Sequence, residues 1–356
     1  NAAFVGSGTS TYTIGGRMEL GAGSSFAAAS STVLFTATTT GKSVTAPSEI
    51  TFNDISFIGA GGGWNVGADM VVLGDLVIDA GTVTGTGDIT IPFGSMTGDG
   101  VLSLGAGTTT IASTNTLGGN GDWSFYNLQL GDTLAVGTTT PVFTSTTTVS
   151  GRLTIAAAHY LDAGNLQLNL SGIGNVFVED GTFLEDTSTV RYSGAGSNVL
   201  ATQYYNLDIN SFAGAQTYTA TGLGIIVDND LTIGGQAAST FDLNSVDPVF
   251  DVNGDVVIRS NGTLEASDSS MFTIAGSYTN DGVLTANSGT ITFDGTAVSD
   301  IAAGTSDFAN ILISSTGDVT FTQSATTTNQ LTLQSAGSFT VDSGQTLAVG
   351  GNYFSE

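Results

Sequence analysis

Apolar and polar residues alternate in short bursts along the whole chain. The segments GVLSLGAG, GRLTIA, TITFDG and NQLTLQS place an apolar side chain at every second position, and Gly, Asn or Asp bounds them. A spacing of two puts these side chains on one face of a β-strand. No stretch combines sustained 3.6-residue periodicity with helix caps, and the abundant Thr and Val favour strands over helices. The pattern therefore predicts an all-β chain.

Two sequence motifs organise the bursts into units. The first is an aromatic residue, any residue, Asn or Asp, and then Leu or Ile, and an alternating strand follows each copy at a similar distance. The second is Asn or Asp, Gly, Thr or Val, and Leu or Phe, and its last two copies are separated by the length of one solenoid coil. The first motif begins at Phe52, Phe125, Tyr204 and Phe308, its following strands at Leu76, Leu153, Leu231 and Leu331, and the second motif at Asp99, Asp180, Asn261 and Asp281.

A parallel β-solenoid, or β-helix, explains both the alternation and the motifs. Coils of about 20–29 residues stack so that each strand pairs with the coils above and below it. We predict a single continuous β-solenoid over residues 1–356, with uncapped ends and degenerate units that start near residues 52, 125, 204 and 308. The four leucines should point inward, and the four motif aromatics should stack in the core. Tandem β-sandwich domains are the alternative, because they also give strand bursts between turns.

The two ends of the chain resemble the two halves of one internal segment. GNYFSE at the end matches GSYTND, which begins at Gly276, and GTSTY near the start matches GTITF, which begins at Gly289. The spacing of the matched glycines is kept without a gap if a second copy follows Glu356. We therefore expect continuation into copies of the chain or into flanking repeats of a longer chain. The predicted assembly interface consists of Phe4, Tyr12, Asn352, Tyr353 and Phe354.

The balance of acidic and basic residues limits the kinds of partner that the chain can bind. The chain carries 5 Lys and Arg against 31 Asp and Glu, a net charge of -26, yet only 10% of its residues are charged. The few basic residues are scattered, so we expect no nucleic-acid binding. No segment approaches the roughly 18 uninterrupted apolar residues of a membrane span, so we expect no membrane insertion. The surface should instead be rich in Ser, Thr, Asn and Gly.

Few residues are candidates for catalysis. His159 is the single histidine, and we expect it at a corner or in solvent. Neighbouring carboxylates can act as acid and base on polysaccharides, although a turn or a solvent-facing strand explains them more simply. The candidate pairs are Glu179 with Asp180, Glu185 with Asp186, Asp228 with Asp230, and Asp251 with Asp255. We predict no catalytic residue and no enzymatic activity.

Calcium and glycans are the remaining candidate ligands. The segment FDLNSVDPVFDVNGDVV is dense in the oxygen ligands that Ca²⁺ prefers, although its spacing fits no EF-hand loop. Asp251 and Asp255 are the predicted calcium ligands, and no other cofactor is expected. Trp64 and Trp123 stand beside glycines, which makes them the candidates for exposed contact with cell-surface glycans.

The run GSYTNDGVLTANSGTITFDG, followed by FANILISSTGDVTF and NQLTLQSAG, resembles the degenerate repeats of large bacterial cell-surface proteins, including adhesins and autotransporter-like passengers. The resemblance covers most of the chain through motifs that are individually weak. It implies a repetitive, extracellular and non-catalytic architecture, such as a filament, sheath, S-layer or adhesin stalk. A β-helix enzyme acting on polysaccharides and a glycan-binding module are the alternatives.

Overall fold

The computed structural model describes residues 3–112, 116–131, 137–141, 143–268, 271–334 and 337–355. These residues form strands and turns and contain no helix. The chain divides into two compact units. Unit 1 comprises Asn1–Leu170 with Phe177–Asp186, and unit 2 comprises Ser171–Val176 with Thr187–Glu356.

Unit 1 is built from 26 short strands. They are β1 (Ala3–Val5), β2 (Thr11–Ile14), β3 (Met18–Glu19), β4 (Ser25–Ala27), β5 (Thr32–Phe35), β6 (Lys42–Thr45), β7 (Ile50–Phe52), β8 (Asp54–Phe57), β9 (Gly63–Val66), β10 (Met70–Val72), β11 (Leu76–Ile78), β12 (Thr82–Gly85), β13 (Ile89–Ile91), β14 (Met96–Thr97), β15 (Val101–Leu104), β16 (Thr108–Ile111), β17 (Thr116–Gly118), β18 (Trp123–Phe125), β19 (Asn127–Leu130), β20 (Gly137–Pro141), β21 (Thr147–Val149), β22 (Leu153–Ile155), β23 (His159–Asp162), β24 (Gln167–Leu170), β25 (Phe177–Glu179) and β26 (Thr182–Leu184).

The strands of unit 1 form three sheets, and the chain visits them in rotation. Sheet I contains β1 and every third strand up to β25, sheet II contains β2 and every third strand up to β26, and sheet III contains β3 and every third strand up to β24. Neighbouring strands are parallel, as in the pairs β7–β10, β8–β11 and β9–β12. Ile50 pairs with Met70, and Met70 pairs with Ile89, so each of these pairings marks the advance of the chain by one coil.

Unit 2 has 22 strands. They are β27 (Thr189–Tyr192), β28 (Asn198–Leu200), β29 (Gln203–Tyr204), β30 (Asn206–Ile209), β31 (Gln216–Thr221), β32 (Gly224–Val227), β33 (Leu231–Ile233), β34 (Ser239–Asp242), β35 (Val249–Val252), β36 (Val256–Ile258), β37 (Gly262–Glu265), β38 (Met271–Ile274), β39 (Tyr278–Asn280), β40 (Val283–Thr285), β41 (Thr290–Phe293), β42 (Ser299–Ala302), β43 (Phe308–Ile313), β44 (Val319–Phe321), β45 (Ala325–Leu333), β46 (Phe339–Val341), β47 (Leu347–Val349) and β48 (Asn352–Ser355).

Unit 2 also consists of three parallel sheets. Sheet IV runs β28–β31–β34–β37–β40, sheet V runs β29–β32–β35–β38–β41–β43–β45–β47, and sheet VI runs β27–β30–β33–β36–β39–β42–β44–β46. Strand β48 also belongs to sheet V, because it pairs with the second half of the long strand β45. Some coils are longer here than the coils that begin at Ile50 and Met70, as the pairing of Leu231 with Val256 shows.

The core of each unit is an apolar column made by alternate side chains of the strands. The predicted inward positions Leu76, Leu153, Leu231 and Leu331 are all at most 3% exposed. Each unit is a parallel β-solenoid, and the chain makes about 15 turns in all. The predicted fold class is therefore confirmed, and the described residues contain none of the antiparallel pairs that β-sandwiches require. The continuity of one solenoid over residues 1–356 stays a prediction.

The four motif aromatics are buried, as predicted, but they do not form one ladder. Phe52 ends a strand of sheet I, Phe125 a strand of sheet III and Tyr204 a strand of sheet V, while Phe308 begins β43. In the first three motifs, the Asn or Asp two positions later begins the strand of the next sheet. The motif therefore marks a corner that the chain reuses between different pairs of sheets.

Candidate functional site

The first coil of unit 1 presents an open edge. Within the described residues, β1, β2 and β3 each pair with one neighbouring strand only. Phe4 of β1 stacks on Phe26 with ring centroids 5.1 Å apart, and Tyr12 of β2 meets Phe4 edge-on at 5.0 Å. The stack continues to the fully buried Phe52, yet Phe4 itself is 43% exposed. The apolar column thus reaches the edge with its last rings half uncovered.

The last coil of unit 2 is open in the same way. Among the described residues, β46, β47 and β48 each have one paired neighbour. Tyr353 lies in register with the buried Leu331, which lies in register with the buried Ile311, so the Tyr353 side chain continues an inward row. It is nevertheless 57% exposed. Asn352 and Phe354 are exposed on either side of it.

The end-to-end sequence match is only partly reflected in the coils. A turn precedes a strand in both matched segments, but the turn lies at Gly8 and Thr9 before β2 and at Asn287 and Ser288, one step ahead of the matched Gly289, before β41. Tyr278, however, is buried in sheet VI, whereas its matched residue Tyr353 stands on sheet V and is exposed. These two tyrosines occupy different faces of a coil, so their alignment rested on glycine spacing and not on structural equivalence.

Acidic and hydroxyl side chains link successive coils at the corners. At the entry to sheet II, Asp54 Oδ1 accepts the backbone N–H of Asp75 at 3.0 Å, and Asp75 Oδ1 accepts that of Ser95 at 2.8 Å. Ser95 Oγ in turn accepts the N–H of Thr116 at 3.3 Å. We call this series the Asp54 ladder. Each rung gives a turn N–H a hydrogen-bond acceptor. The same arrangement recurs at the entry to sheet I with Asp69, Asp88 and Thr108.

Unit 2 has its own ladder at the entry to sheet VI, and it contains one of the predicted calcium ligands. Asp230 Oδ1 accepts the N–H of Asp255 at 3.0 Å, and Asp255 Oδ1 accepts the N–H of Ser277 at 2.7 Å. Asp251 lies on β35, where its carboxylate accepts the hydroxyl of Thr273. The carboxylates of Asp251 and Asp255 therefore each accept a hydrogen bond within the fold.

The structure does not gather a metal-binding cluster around Asp251 and Asp255. No group of three or more His, Cys, Asp or Glu residues with metal-binding geometry occurs in the described part of the chain. Asp294 is an electrostatic neighbour of Asp251, and its pKa is raised by burial and by the negative charge of Asp251. Two mutually repelling carboxylates fall short of the six to eight oxygen ligands that Ca²⁺ takes.

The predicted carboxylate pairs include hydrogen-bond acceptors at strand ends and in turns. Glu179 Oε1 accepts the N–H of Phe183 at 3.0 Å. Asp228 accepts side-chain amides from Gln203 at 2.6 Å and from Asn253 at 3.2 Å. Glu179 at the end of β25 and Asp228 in the bend after β32 therefore have the structural role expected of carboxylates at strand ends and turns.

A different carboxyl pair was missed in the sequence. Asp162, at the end of β23, hydrogen-bonds with Asp186, which lies one coil further along the chain. Burial, this hydrogen bond and the charge of Asp186 raise the pKa of Asp162, while the N–H of Gly164 at 3.1 Å acts against the rise. The two residues are about one coil length apart in the sequence, and this spacing was the only feature of the sequence that could have indicated the pair.

His159 begins β23 directly after a turn, so it lies at a corner as expected, but it is fully buried and the alternative expectation that it faces solvent is wrong. Its ring fills the space above Gly131. A Cβ atom at Gly131 would overlap His159 Cγ, and the φ of +86° there also favours glycine. The imidazole therefore packs as part of the core.

Both tryptophans are buried, so the prediction that they contact glycans at the surface is wrong. Trp64 and Trp123 are each 1% exposed. Trp64 packs against Phe57 at 5.2 Å, and Trp123 donates its indole N–H to the carbonyl of Gly100 at 3.1 Å. The neighbouring glycines make room for the indoles inside the column and do not display them.

Comparison with known proteins adds no family to this geometry. No protein family matches the chain, and no curated protein or solved structure is significantly similar to it. Among the described residues, no helix is long and apolar enough to cross a lipid bilayer.

Proposed function

We propose that the chain is a non-enzymatic structural protein of a microbial cell surface. It forms or belongs to an extracellular filament, sheath, S-layer or adhesin stalk through end-to-end continuation of the solenoid. The observation that carries the proposal is the pair of open coil edges, each with half-covered aromatic side chains in register with a buried row. A further coil on either edge comes from a second copy or from flanking repeats.

The energetics favour continuation. An added strand would pair backbone groups that otherwise depend on water, and unpaired edges are templates for such pairing. It would also cover Tyr353 at one edge or Phe4 at the other. Complete burial of such a side chain contributes about 1.5–3 kcal/mol, of which roughly half is still available because each ring is about half exposed. Several such positions per coil would hold the coils together.

The surface composition agrees with an extracellular scaffold. A net charge of -26 spread over few ionisable groups keeps rods apart from one another, while Thr, Ser and Asn supply polarity without salt-sensitive pairs. The ion pairs Arg17–Glu19 and Arg191–Asp208 are separate, one in each unit. The stability of the described coils therefore rests mainly on ladders and apolar stacking.

The test is the length distribution of purified residues 1–356 by negative-stain electron microscopy. The parent is expected to form rods, and Tyr353→Asp, which places a charge in the inward row, should shorten them to single particles. Tyr160→Asp is the matched control, because Tyr160 is an outward residue of β23 and is 38% exposed. Rods of equal length from the parent and from Tyr353→Asp would reject assembly through this edge. A monomeric parent would reject assembly between copies, and a tandem fusion of two copies would then test the covalent form.

A polysaccharide-active enzyme is the alternative, and one observation favours it. The Asp162–Asp186 pair holds two carboxyl groups together and raises the pKa of one of them, and two neighbouring carboxyl groups with different pKa values can act as acid and base. The alternative predicts reducing-sugar release from soluble cell-wall polysaccharides by the parent and its loss in Asp162→Asn. Absence of release from the parent would reject it.

A further inference from the structure

The outer face of sheet V carries a groove of about 570 Å³ near its last strands. Its polar lining comes from Thr290, Asn310, Gln330, Thr332 and Gln334, and Phe354 closes one end. Ile311 and Leu312 complete the lining. The groove faces outward from the solenoid wall, and Phe354 of the open-edge strand β48 forms part of its lining.

Strand register places these side chains in outward rows. Thr290 pairs with Asn310, and Asn310 with Gln330, so three polar side chains follow one another across three strands. In the adjacent row, Leu312 pairs with Thr332, and Thr332 with Phe354. The inward residues between the two rows, Ile311 and Leu331, are buried.

None of the residues that line the groove is ionisable. The protein as a whole has a net charge of -26, yet the groove offers amides, hydroxyls and one aromatic ring. Asn310 donates to the carbonyls of Ser288 and Gly289 at 2.8 and 3.0 Å, which fixes the amide and leaves its Oδ1 as an acceptor. Gln330 Nε2 donates to Thr332 Oγ1 at 2.8 Å, which fixes the second amide in the same way.

Phe354 supplies an apolar platform beside these fixed polar groups. It is 45% exposed although it lies in register with the buried Thr332. Strands in a sheet are spaced by about 4.7–4.9 Å, a distance similar to the length of one hexose ring in an extended chain. Polar groups at that spacing, next to an aromatic face, match the alternating hydroxyl groups and apolar ring faces of a sugar polymer.

We propose that this groove binds a neutral oligosaccharide chain, with one sugar ring stacked on Phe354 and its neighbours hydrogen-bonded to Asn310 and Gln330. Acidic polymers are disfavoured by the surrounding negative charge, and the lining offers no carboxylate to attract a cationic one. Phe354 lies on β48, the strand that also carries the assembly residues Asn352 and Tyr353, but its ring belongs to an outward row, whereas the proposed assembly covers the inward side chain of Tyr353.

The experiment measures binding of cellohexaose, maltohexaose and chitohexaose to residues 1–356 by isothermal titration calorimetry, with hexagalacturonate as the acidic comparison. At least one neutral hexasaccharide should bind, and Phe354→Ala should lower the affinity for that sugar at least about ten-fold. Gln330→Ala should weaken it to a smaller extent. Phe93→Ala is the matched control, because Phe93 is 75% exposed and lies elsewhere, in unit 1.

Circular dichroism and thermal melting of each variant establish that the fold is kept. Binding that is lost in Phe354→Ala and kept in Phe93→Ala would support the site. The proposal is overturned if none of the three neutral sugars binds, if Phe354→Ala binds as tightly as the parent, or if hexagalacturonate binds equally well. Rod formation is scored separately on the same parent protein, so failure of one proposal is distinguishable from failure of the other.

Discussion

Removal of one rung of the Asp54 ladder should loosen a specific turn. In Asp75→Ala, the N–H of Ser95 loses the carboxylate oxygen that it reaches at 2.8 Å. The backbone N–H of Asp75 itself keeps its bond to Asp54, because that bond does not use the substituted side chain. The perturbation is therefore confined to the rung between Asp75 and Ser95.

The magnitude follows from the exposure of the corner. A hydrogen bond to a charged group is worth about 1.5–3 kcal/mol when water is excluded, and a typical one about 0.5–1.5 kcal/mol. Asp75 is exposed, so water can partly replace the lost acceptor, and about 1 kcal/mol is the expected cost. For a unit of this size, that corresponds to a decrease of about 2–4 °C in melting temperature.

Hydrogen exchange at the Ser95 amide is the direct assay, because it reports on the one bond that changes. Its protection should fall roughly five-fold in Asp75→Ala, which corresponds to about 1 kcal/mol. Asp75→Asn is the matched control: it keeps an acceptor oxygen and should retain most of the protection. If Ser95 exchanges at the parent rate in Asp75→Ala, or if both variants lose protection equally, the ladder does not contribute as argued.

Three further predictions concern burial and charge. Gly131→Ala should melt well below the parent because its Cβ would overlap His159, and His159→Ala in the same chain should restore part of the loss. Leu231→Ala should lower the free energy of unfolding by about 2–5 kcal/mol, whereas the outward neighbour Thr232→Ala should change it by less than about 0.5 kcal/mol, as is typical of surface sites; similar effects would contradict the inward assignment. The raised pKa of Asp162 means that the folded state binds its proton more tightly than the unfolded state, so this group's contribution to stability falls as pH rises from 3.8 through the folded pKa. Asp162→Asn should therefore raise the free energy of unfolding at pH 7 and change it little at a pH below the ordinary pKa of an aspartate. Denaturant titrations of the variant and the parent at both pH values measure this difference, and a difference that does not change with pH would contradict the argument.

The repeat pattern predicted the solenoid because one physical constraint acts on every coil. A side chain that points inward must stack on apolar neighbours from the coils on either side, so Leu76 and Leu231 are recognisable from alternation alone. The corner motif was recognisable for a related reason. An aromatic ring closes the core before the chain turns, and Asn or Asp then satisfies the turn N–H of an adjacent coil, as Asn127 does for Arg152 at 2.9 Å.

Side-chain environments that depend on coil length were not predictable in the same way. Asp162 meets Asp186 only because one coil brings the end of β23 level with the turn after β26. Coils in this chain differ in length, as the pairs Met70–Ile89 and Leu128–Leu153 show. A register error of a single position moves a side chain to the opposite face of a strand. Side-chain contacts between coils therefore cannot be predicted from the sequence until the strand register is known.

The tryptophans show why composition around a residue can mislead. Glycines beside Trp64 suggested that the indole is exposed. The structure shows instead that the positions of Gly62 and Gly81 need glycine because the indole ring lies directly against them. A Cβ at Gly62 would approach Trp64 Cη2 to 2.5 Å, and one at Gly81 would approach Cζ3 to 3.0 Å. A solenoid of short strands has a narrow interior, so its largest side chains need neighbours without a Cβ. Glycine next to tryptophan in such a repeat therefore indicates burial, and an exposed aromatic such as Phe354 is found instead on an outward row between polar side chains.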